Sequence, residues 1–449
     1  RSRGLGDVYK RQILNNPAGD GVCSGGALER CMVTAADGSY AFTGLEKGTY
    51  IIREVQQSGW RNTTDEFFAI NVETSGQAFQ KLDFGNTEIV TRQITGQVFF
   101  DRDSSGGRDP TEAAIPGWAV FLDQDDDGNL DGAETSVLTD AEGRYAFQEV
   151  SAGQQVVRTI PASGWRQTYP TGGIHRVDMP ESGTVANIDF GFDLITPYEL
   201  YIPFFRGDRD SFTGFAFSNY SDSQAYLEMT SFDPDGDYSS FPENPAGFRL
   251  GQQNQSARLG FEIFQVDPSF ERIGWVRVVT DNPELASFFM FGGSKDPFLD
   301  GSIAFTKSFK TLYFSHILEG DGAFRGSAAE TLISLANPGS SAIRVQFTLF
   351  VPASDIGISF QTRQNSLVGT VKTIPGNGVL AETVTELFGD LIRDFTPETL
   401  ARAYLRSEVV EGGGAVGFQL VRTANGRTVF GLNAAPTTDS RRTGQLSRE

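Results

Sequence analysis

Two acidic loops, each entered from a short apolar run, constrain this chain more than any other feature. Residues 98–100 lead into a loop at 101–112, and residues 118–122 lead into a loop at 123–134. Each loop has oxygen-bearing side chains at positions 1, 3, 5, 9 and 12 and glycine at position 6, which is the spacing of an EF-hand calcium loop. The predicted ligands are Asp101, Asp103, Ser105, Gly107, Asp109 and Glu112 in the first loop, and Asp123, Asp125, Asp127, Asn129, Asp131 and Glu134 in the second.

The alternative is that both loops are solvated, glycine-rich hairpin tips. One loop alone would leave the two interpretations even, whereas two full matches in one segment favour Ca²⁺. The flanking runs are short, apolar and β-branched, without a helical period. We therefore expect the loops on a β scaffold, which excludes a helix–loop–helix sensor that opens a groove.

The charge balance narrows the class of partner. The chain of 449 residues has a net charge of −20, which argues against nucleic acids and anionic membrane surfaces. Residues 93–192 contain 16 Asp and Glu against 6 Arg and no Lys, so half of that net charge lies around the two loops. A bound divalent cation would relieve this repulsion. No apolar run is long enough to span a bilayer.

Cys23 and Cys31 are the two cysteines of the chain. Without a neighbouring His or Cys they make a poor zinc site, so we predict a disulfide that closes a glycine-rich loop and suits an oxidising compartment. The alternative is two free thiols.

The start of the chain needs separate treatment. Residues 6–12, Gly-Asp-Val-Tyr-Lys-Arg-Gln, are encoded by the transposase-end DNA used to build sequencing libraries. We therefore expect residues 1–12 to be an adapter scar and leave them out of the fold prediction.

Residues 34–85 and 139–191 form a repeat. The segment Thr34–Phe42, TAADGSYAF, matches TDAEGRYAF at 139–147, and the register continues through Trp60 and Trp165. The first unit, starting at Ile13, lacks the opening strand and the first loop. Its remaining loop, at 15–31, keeps few acids, so the cysteine pair is a candidate replacement for the metal.

These motifs together resemble the B-repeat of SdrD-like bacterial surface proteins, within the broader prealbumin-like Cna-B sandwiches. The resemblance rests on the metal loop at 101–112, the Pro-Gly-Trp strand at 116–118 and the Gly-x-Tyr-x-Phe strand at 143–147, in that order. It covers 93–192 fully and 13–88 in part. It implies calcium-stiffened spacers that project adhesive regions from the bacterial cell surface. The lysine–asparagine crosslink of some relatives is excluded for the second unit, because residues 82–294 contain no lysine.

A different duplication follows a short linker. Leu200–Phe204 matches 312–316, Asn219 matches Asn337, and Trp275 and Phe289 match Tyr404 and Phe418. The growing offset places insertions in the second copy, one of which, at 381–391, predicts a short helix. We thus predict an all-β chain of tandem immunoglobulin-like or prealbumin-like β-sandwiches. Its segments are a scar at 1–12, a truncated sandwich at 13–88, a calcium-binding sandwich at 93–192, related sandwiches at 197–305 and 308–436, and a polar tail at 437–449.

Nothing in the sequence indicates catalysis. The chain has two histidines, His175 and His316, and no Gly-x-Ser-x-Gly nucleophile motif. His316 is expected to pack as its counterpart Phe204 does. We therefore predict a non-catalytic, extracellular spacer with calcium bound and a host, matrix or glycan ligand as a candidate partner. The rival hypothesis is a carbohydrate-binding accessory region of a larger secreted enzyme. Its candidate contact residues are Trp60, Trp118, Trp165 and Trp275, although Trp118 is expected in the core, where its indole N–H needs a partner.

Overall fold

The computed structural model describes residues 11–14, 30–57, 59–208, 210–267, 271–293, 299–352, 364–423 and 428–436. Its regular structure is almost entirely β-strand, which confirms the all-β prediction. The chain divides into two compact units, one of residues 1–94, 147–154 and 177–185 and the other of residues 95–146, 155–176 and 186–449. Within the described residues, none of the helices has the length and apolar character needed to cross a lipid bilayer.

The first group of strands forms a small sheet with its own apolar cluster. Its strands are β1 (Arg11–Leu14), β2 (Arg30–Val33), β3 (Gly48–Glu54), β4 (Trp60–Asn62), β5 (Phe67–Val72) and β6 (Asn86–Glu88). Four of them pair in the order β2-β1-β3-β5, and β4 pairs with β6. Ile52, Ile70 and Val72 are buried against Tyr40, Phe68 and Phe84. Strand β1 begins inside the segment predicted to be an adapter scar.

The second group, called the second sandwich below, carries both acidic loops. Its strands are β7 (Arg92–Phe100), β8 (Ala119–Leu122), β9 (Ser136–Leu138), β10 (Arg144–Phe147), β11 (Gly153–Thr159), β12 (Trp165–Tyr169), β13 (His175–Met179), β14 (Gly183–Val185) and β15 (Phe190–Leu194). One sheet has the order β10-β7-β15-β12, with β14 also on β7, and the other has the order β13-β11-β8-β9. The first and last long strands, β7 and β15, are parallel neighbours, with Val98 opposite Phe190.

The motif residues of the second sandwich each have a structural task. The Thr139 hydroxyl accepts a hydrogen bond from the Trp118 N–H (2.8 Å) and donates one to the Ile115 carbonyl (2.7 Å), which fixes the Pro-Gly-Trp turn. Gly143 has φ +72°, and a Cβ there would lie 2.5 Å from the Val98 carbonyl oxygen, so only glycine fits. Trp118 then packs on Phe192 with ring centroids 4.2 Å apart.

The third sandwich follows directly. Its elements are β16 (Tyr198–Gly207), β17 (Ser211–Asn219), β18 (Ala225–Phe232), β19 (Ala246–Leu250), β20 (Asn254–Leu259), the one-turn helix α1 (Gly260–Ile263), β21 (Arg272–Thr280), β22 (Leu285–Gly293) and β23 (Leu299–Ile303). The two sheets have the orders β16-β21-β18-β19 and β20-β17-β22-β23.

The fourth sandwich repeats this topology with additions. Its elements are β24 (Thr311–Ser315), β25 (Gly320–Phe324), β26 (Ser327–Ala336), β27 (Ile343–Pro352), β28 (Gln364–Ile374), β29 (Val379–Thr383), α2 (Val384–Phe388), a 3₁₀ turn (Gly389–Ile392), α3 (Pro397–Leu400), β30 (Tyr404–Glu411), β31 (Val416–Thr423), β32 (Thr428–Asn433) and β33 (Ala435–Pro436). Its sheets have the orders β28-β27-β30-β24-β33 and β25-β26-β31-β32, with β29 on β26. Helix α2 lies in the predicted helical insertion and is capped by the Thr383 side chain.

Two buried asparagines, one in each copy, show the duplication as clearly as the order of the strands does. The Asn219 side chain donates to the carbonyls of Ser223 (2.8 Å) and Gly251 (3.0 Å), and Asn337 donates equivalently to Ser341 (2.9 Å) and Pro375 (2.8 Å). Each asparagine therefore ties a turn to the end of a neighbouring strand, because its buried amide needs these partners.

The third and fourth sandwiches each have a core of their own and also meet in a common apolar cluster. Leu332, Phe418 and Leu420 of the fourth belong to the buried cluster of the third. Phe418 lies 5.5 Å from Phe289 and 5.1 Å from Phe291, measured between ring centroids. The two copies are thus packed against each other through buried apolar side chains at their junction.

Candidate metal centre

The first acidic loop is held by hydrogen bonds to its own aspartates. The Asp101 carboxylate accepts the backbone N–H of Ser105 (2.9 Å) and of Gly106 (3.1 Å). Asp103 accepts the Ser105 N–H as well (2.9 Å). These bonds turn the chain back on itself and gather the carboxylates on the inside of the loop.

The second loop makes the same bonds at the same positions. Asp123 accepts the N–H groups of Asp127 (3.2 Å) and Gly128 (3.0 Å), and Asp125 accepts that of Asp127 (3.3 Å). Gly106 and Gly128, both at position 6, have φ of +81° and +84°, which explains the glycine in the template.

The closing glutamates also correspond. Glu112 accepts the Asp109 N–H (3.2 Å), and Glu134 accepts the Asp131 N–H (3.3 Å). In each loop one carboxylate oxygen from positions 1, 3 and 12 lies within 4.8 Å of the others. The residues brought together are Asp101, Asp103 and Glu112 in one loop and Asp123, Asp125 and Glu134 in the other.

The remaining predicted ligands do not join these triads. The Ser105 hydroxyl donates to the Gly107 carbonyl (3.2 Å), and the Asp109 carboxylate accepts the Thr111 N–H (2.7 Å). In the second loop Asp131 accepts the Ala133 N–H (2.9 Å), and Asp127 accepts the Asn129 N–H (2.7 Å). These side chains are engaged by the loop backbone.

Glu112 is the residue whose surroundings fit a cation best. It is 5% exposed, and its Oε1 atom is buried without a hydrogen-bond partner. Burial raises the pKa of Glu112 to about 7, against the hydrogen bond from Asp109, and the charges of Asp101, Asp109 and Asp103 raise it further. A buried carboxylate oxygen with no donor, facing other acids, is the arrangement that a hard cation satisfies.

Sequence reasoning missed an arginine at the second loop. The Arg158 guanidinium donates to Asp123 and, at 2.7 Å, to Asp126, which also accepts Arg176 (2.7 Å). Arg158 lies within the repeat described above, but its contact with a loop on a different part of the chain depends on the fold and is not visible in the sequence.

A second missed feature joins the first loop to the third sandwich. Arg102, at loop position 2, pairs with Glu228, which is 2% exposed. Just after the loop, the Ala114 carbonyl accepts the Tyr226 hydroxyl (3.3 Å) and the Pro116 carbonyl accepts Arg249 Nε (2.6 Å). The loop and the segment following it therefore form part of this junction.

The other predicted site residues are placed as follows. Cys31 is disulfide-bonded, and Cys23 lies outside the described residues. Trp118, Trp165 and Trp275 are buried, and Trp118 Nε1 has no hydrogen-bond partner. Trp165 Nε1 donates to the Asp281 carboxylate (3.1 Å). The centroid of the Trp165 ring lies 5.2 Å from that of the Tyr226 ring. Three of the four tryptophans thus present no face to a sugar.

Comparisons with known proteins agree with the motif interpretation over one part of the chain. Serine-aspartate repeat-containing protein D of Staphylococcus aureus strain Newman is 33% identical over 150 residues, which cover 31% of this chain and 11% of that protein. Colossin-A of Dictyostelium discoideum is 28% identical over 193 residues, or 36% of this chain and 2% of that protein. This chain therefore spans about a tenth of the staphylococcal relative's length.

Among solved structures, the minor pilin GBS52 of Streptococcus agalactiae is 15% identical and covers 42% of this chain and 84% of its own, with a TM-score of 0.18. A score this low carries no argument about fold. The family model of the SdrD B-like domain matches residues 92–187. The resemblance predicted from the motifs is thereby confirmed for the second sandwich, which is an SdrD B-like domain by this match.

Proposed function

We propose that this chain is a non-catalytic structural part of a bacterial cell-surface protein, in which calcium in the two acidic loops stiffens the second sandwich. The relatives that share its SdrD B-like segment support this setting. The observation that carries the calcium assignment is Glu112 Oε1, a buried acceptor without a donor beside Asp101 and Asp103.

Calcium would supply the positive charge that the clustered acids lack. Asp101, Asp103 and Glu112 would hold it in the first loop, and Asp123, Asp125 and Glu134 in the second. The backbone hydrogen bonds of each loop already orient these side chains, so little conformational entropy remains to be lost on binding. Extracellular calcium modules bind at about 10⁻⁴–10⁻³ M, which suits millimolar calcium outside a cell.

The mechanical consequence follows from the junction. Arg102 belongs to the first loop and pairs with Glu228 of the third sandwich. A loop pinned by calcium would keep Arg102, Ala114 and Pro116 in the positions that contact the third sandwich. The angle between the two sandwiches would then be fixed, as an extended spacer requires.

The test is calcium binding and thermal unfolding of the full chain in calcium and in chelator. The matched variant is Asp101→Ala/Asp123→Ala, and Asp222→Ala, an exposed acid outside the loops, is the control. At 100 times Kd, calcium should stabilise the folded state by about 2.7 kcal/mol, and the double variant should lose this gain. No bound calcium at millimolar concentration would assign both loops to solvated hairpin tips.

Adhesion and extracellular location remain part of the same proposal. Immobilised host matrix proteins and glycans would be screened with the full chain for the adhesive role. Binding that Trp60→Ala abolishes would favour the carbohydrate-binding alternative, since Trp60 is half-buried while the other tryptophans are buried.

A further inference from the structure

Strand β12 of the second sandwich contains a β-bulge at Thr168. Gln167 of β12 lies opposite Phe192 of β15. Two residues further along β12, Tyr169 lies opposite Gly191, which is only one residue away from Phe192. Thr168 is therefore the extra residue of the bulge, without a partner of its own in the ladder. Bulges of this kind change the direction of the side chains beside them and are common next to functional sites.

The Thr168 hydroxyl lies beside the first residue of the first acidic loop. A Cβ added to Gly191 would lie 2.8 Å from Thr168 Oγ1, 3.0 Å from Asp101 Cβ and 3.0 Å from Asp101 Oδ2. The hydroxyl and the carboxylate thus approach each other over Gly191, where no side chain separates them. Any other residue at position 191 would fill this space, which accounts for the glycine.

Tyr169 contacts the same loop from the next position of β12. Its Cδ2 atom lies 3.3 Å from the place that a Cβ on Gly106 would take. Asp101 Oδ2 accepts the Gly106 N–H (3.1 Å), so Tyr169 packs on one partner of this hydrogen bond while Thr168 faces the other. The bulge therefore brings two consecutive residues to the loop, where regular alternation would direct only one of them to this side of the sheet.

The Thr168 hydroxyl lacks a partner in the ion-free loop. Among the residues that the structure describes, Thr168 Oγ1 is buried without a hydrogen bond, as Glu112 Oε1 is. An unpaired buried hydroxyl destabilises the fold, because it has given up its hydrogen bonds to water. A cation can satisfy the Glu112 oxygen but not a hydroxyl hydrogen, which needs an acceptor. Asp101 Oδ2 is the acceptor that faces it across Gly191.

The first group of strands offers a comparison at the equivalent position. Thr63 occupies there the place that Thr168 has in the repeat. Its Oγ1 atom also lies 2.8 Å from the position of a Cβ on the equivalent glycine, Gly85. The other atoms nearest to that position belong to Thr64, and Thr63 itself is exposed. Of the two threonines, the one with the buried, unpaired hydroxyl is the one that faces a loop acid.

We propose that Thr168 is a positioning residue for the cation of the first loop. Its hydroxyl donates to Asp101 Oδ2 in the ion-bound loop and holds that carboxylate in the orientation in which it joins Asp103 and Glu112. Hydrogen bonds of this kind to metal-binding side chains are worth about 10–100-fold in metal affinity. The proposal rests on the proposed calcium function and extends the site to β12, a strand outside both acidic loops.

The test compares Thr168→Val with Thr168→Ser in the full chain carrying Asp123→Ala, so that calcium binding reports the first loop. Valine has the shape of threonine without the hydroxyl, whereas serine keeps the hydroxyl. In calorimetric titration with calcium, Thr168→Val should raise Kd about tenfold or more, and Thr168→Ser should leave it close to that of the Asp123→Ala parent. Thr171→Val, at an exposed threonine of the following turn, is the control and should bind as the parent does.

Urea unfolding of the same variants in chelator separates positioning from packing. Because Thr168→Val removes an unpaired buried hydroxyl, its ion-free form should unfold at a urea midpoint equal to or above that of the parent. A residue needed for packing alone would lower this midpoint together with the calcium affinity.

Four outcomes would overturn the proposal. A lower midpoint of Thr168→Val in chelator would assign Thr168 to packing, and weak calcium binding by Thr168→Ser would exclude a role for the hydroxyl. Unchanged calcium binding in Thr168→Val would overturn the positioning role and leave the calcium function intact. If the Asp123→Ala parent itself binds no calcium, both the first-loop site and the role of Thr168 are wrong.

Discussion

The two acidic loops share a backbone and differ in their surroundings. In the first loop, Asp101 and Glu112 are 0% and 5% exposed, and one Glu112 oxygen has no donor. In the second loop, Asp123 is equally buried but already has the Arg158 guanidinium, while Glu134 is half-buried and its Oε1 accepts the Gln124 N–H (2.6 Å). The same template therefore leaves a buried carboxylate oxygen without a donor in the first loop, whereas an arginine lies on the position-1 carboxylate of the second loop.

This difference teaches that a ligand template does not define a binding site by itself. We expect the first loop to depend more on an external ion, because Asp101 and Glu112 are both buried and one Glu112 oxygen has no donor. The negative charge of the second loop is partly neutralised by arginine, so the ion-free second loop destabilises the fold less than the ion-free first loop does. We expect the first loop to govern calcium-dependent stability.

The largest expected change in the free energy of unfolding comes from the residue at position 2 of the first loop, and the residue at the same position of the second loop is its control. Arg102→Ala leaves Glu228 buried without its main ion-pair partner and should lower the free energy of unfolding by about 3 kcal/mol. Gln124, the equivalent residue of the second loop, is exposed, so Gln124→Ala should stay within about 0.5 kcal/mol. Urea unfolding of both variants measures the contrast, and equal losses would remove the distinction between the loops.

The second prediction concerns how the stability of the calcium-free chain depends on pH. Burial raises the pKa of Glu112 to about 7 in the folded state, above its ordinary value of 4.5. The folded chain therefore binds this proton more tightly than the unfolded chain. The resulting stability is fully present below pH 4.5 and is lost as pH rises through 7, with a slope of at most about 1.4 kcal/mol per pH unit.

The measurement is urea unfolding in chelator at several pH values, for the parent and for Glu112→Gln. The difference between the two curves isolates the glutamate from all other titrating groups. A parent slope equal to that of Glu112→Gln would contradict the raised pKa.

The smallest expected effect is on calcium binding by the second loop, and it comes from replacing Arg158. Because its positive charge lies on the Asp123 carboxylate, Arg158→Gln should strengthen calcium binding by the second loop, by about 1 kcal/mol or close to fivefold in Kd. Calorimetric titration in the Asp101→Ala background reports the second loop alone, and Arg144→Gln, an exposed arginine paired with Asp140, is the control. Weaker binding would mean that Arg158 serves to hold Asp123 in position.

Most of the features that could be predicted depend on patterns of residues close together in the sequence. The loop positions, the glycine at position 6 and the short helix at α2 depend on neighbours a few residues away, so the sequence displays them directly. The fold class is confirmed for the same reason, because alternation and turn residues are local. The duplication of the last two sandwiches is supported by Asn219 and Asn337, which occupy equivalent turns with the same partners.

Contacts between distant segments were not predictable. Trp165 was left open between a core and a sugar-binding role, and its burial depends on Tyr226 and Asp281 from the next sandwich. Packing of His316 in the manner of Phe204 was wrong, because the strand ends at Ser315 and His316 is exposed with φ +59°. The neighbouring residues in the sequence determine neither the residues that bury a side chain nor the point at which tertiary packing ends a strand.

The parallel pairing of β7 and β15 has a consequence for a protein under tension. Force applied between the start of β7 and the end of β15 pulls these neighbouring strands in opposite directions along their length. The bonds between them, from the Val98–Phe190 pair to the Phe192 carbonyl that accepts the Asp101 N–H (2.9 Å), are sheared together and do not unzip one at a time. The last of these bonds ends on Asp101, the first residue of the first acidic loop, so an ion held there would anchor one end of the sheared strand pair.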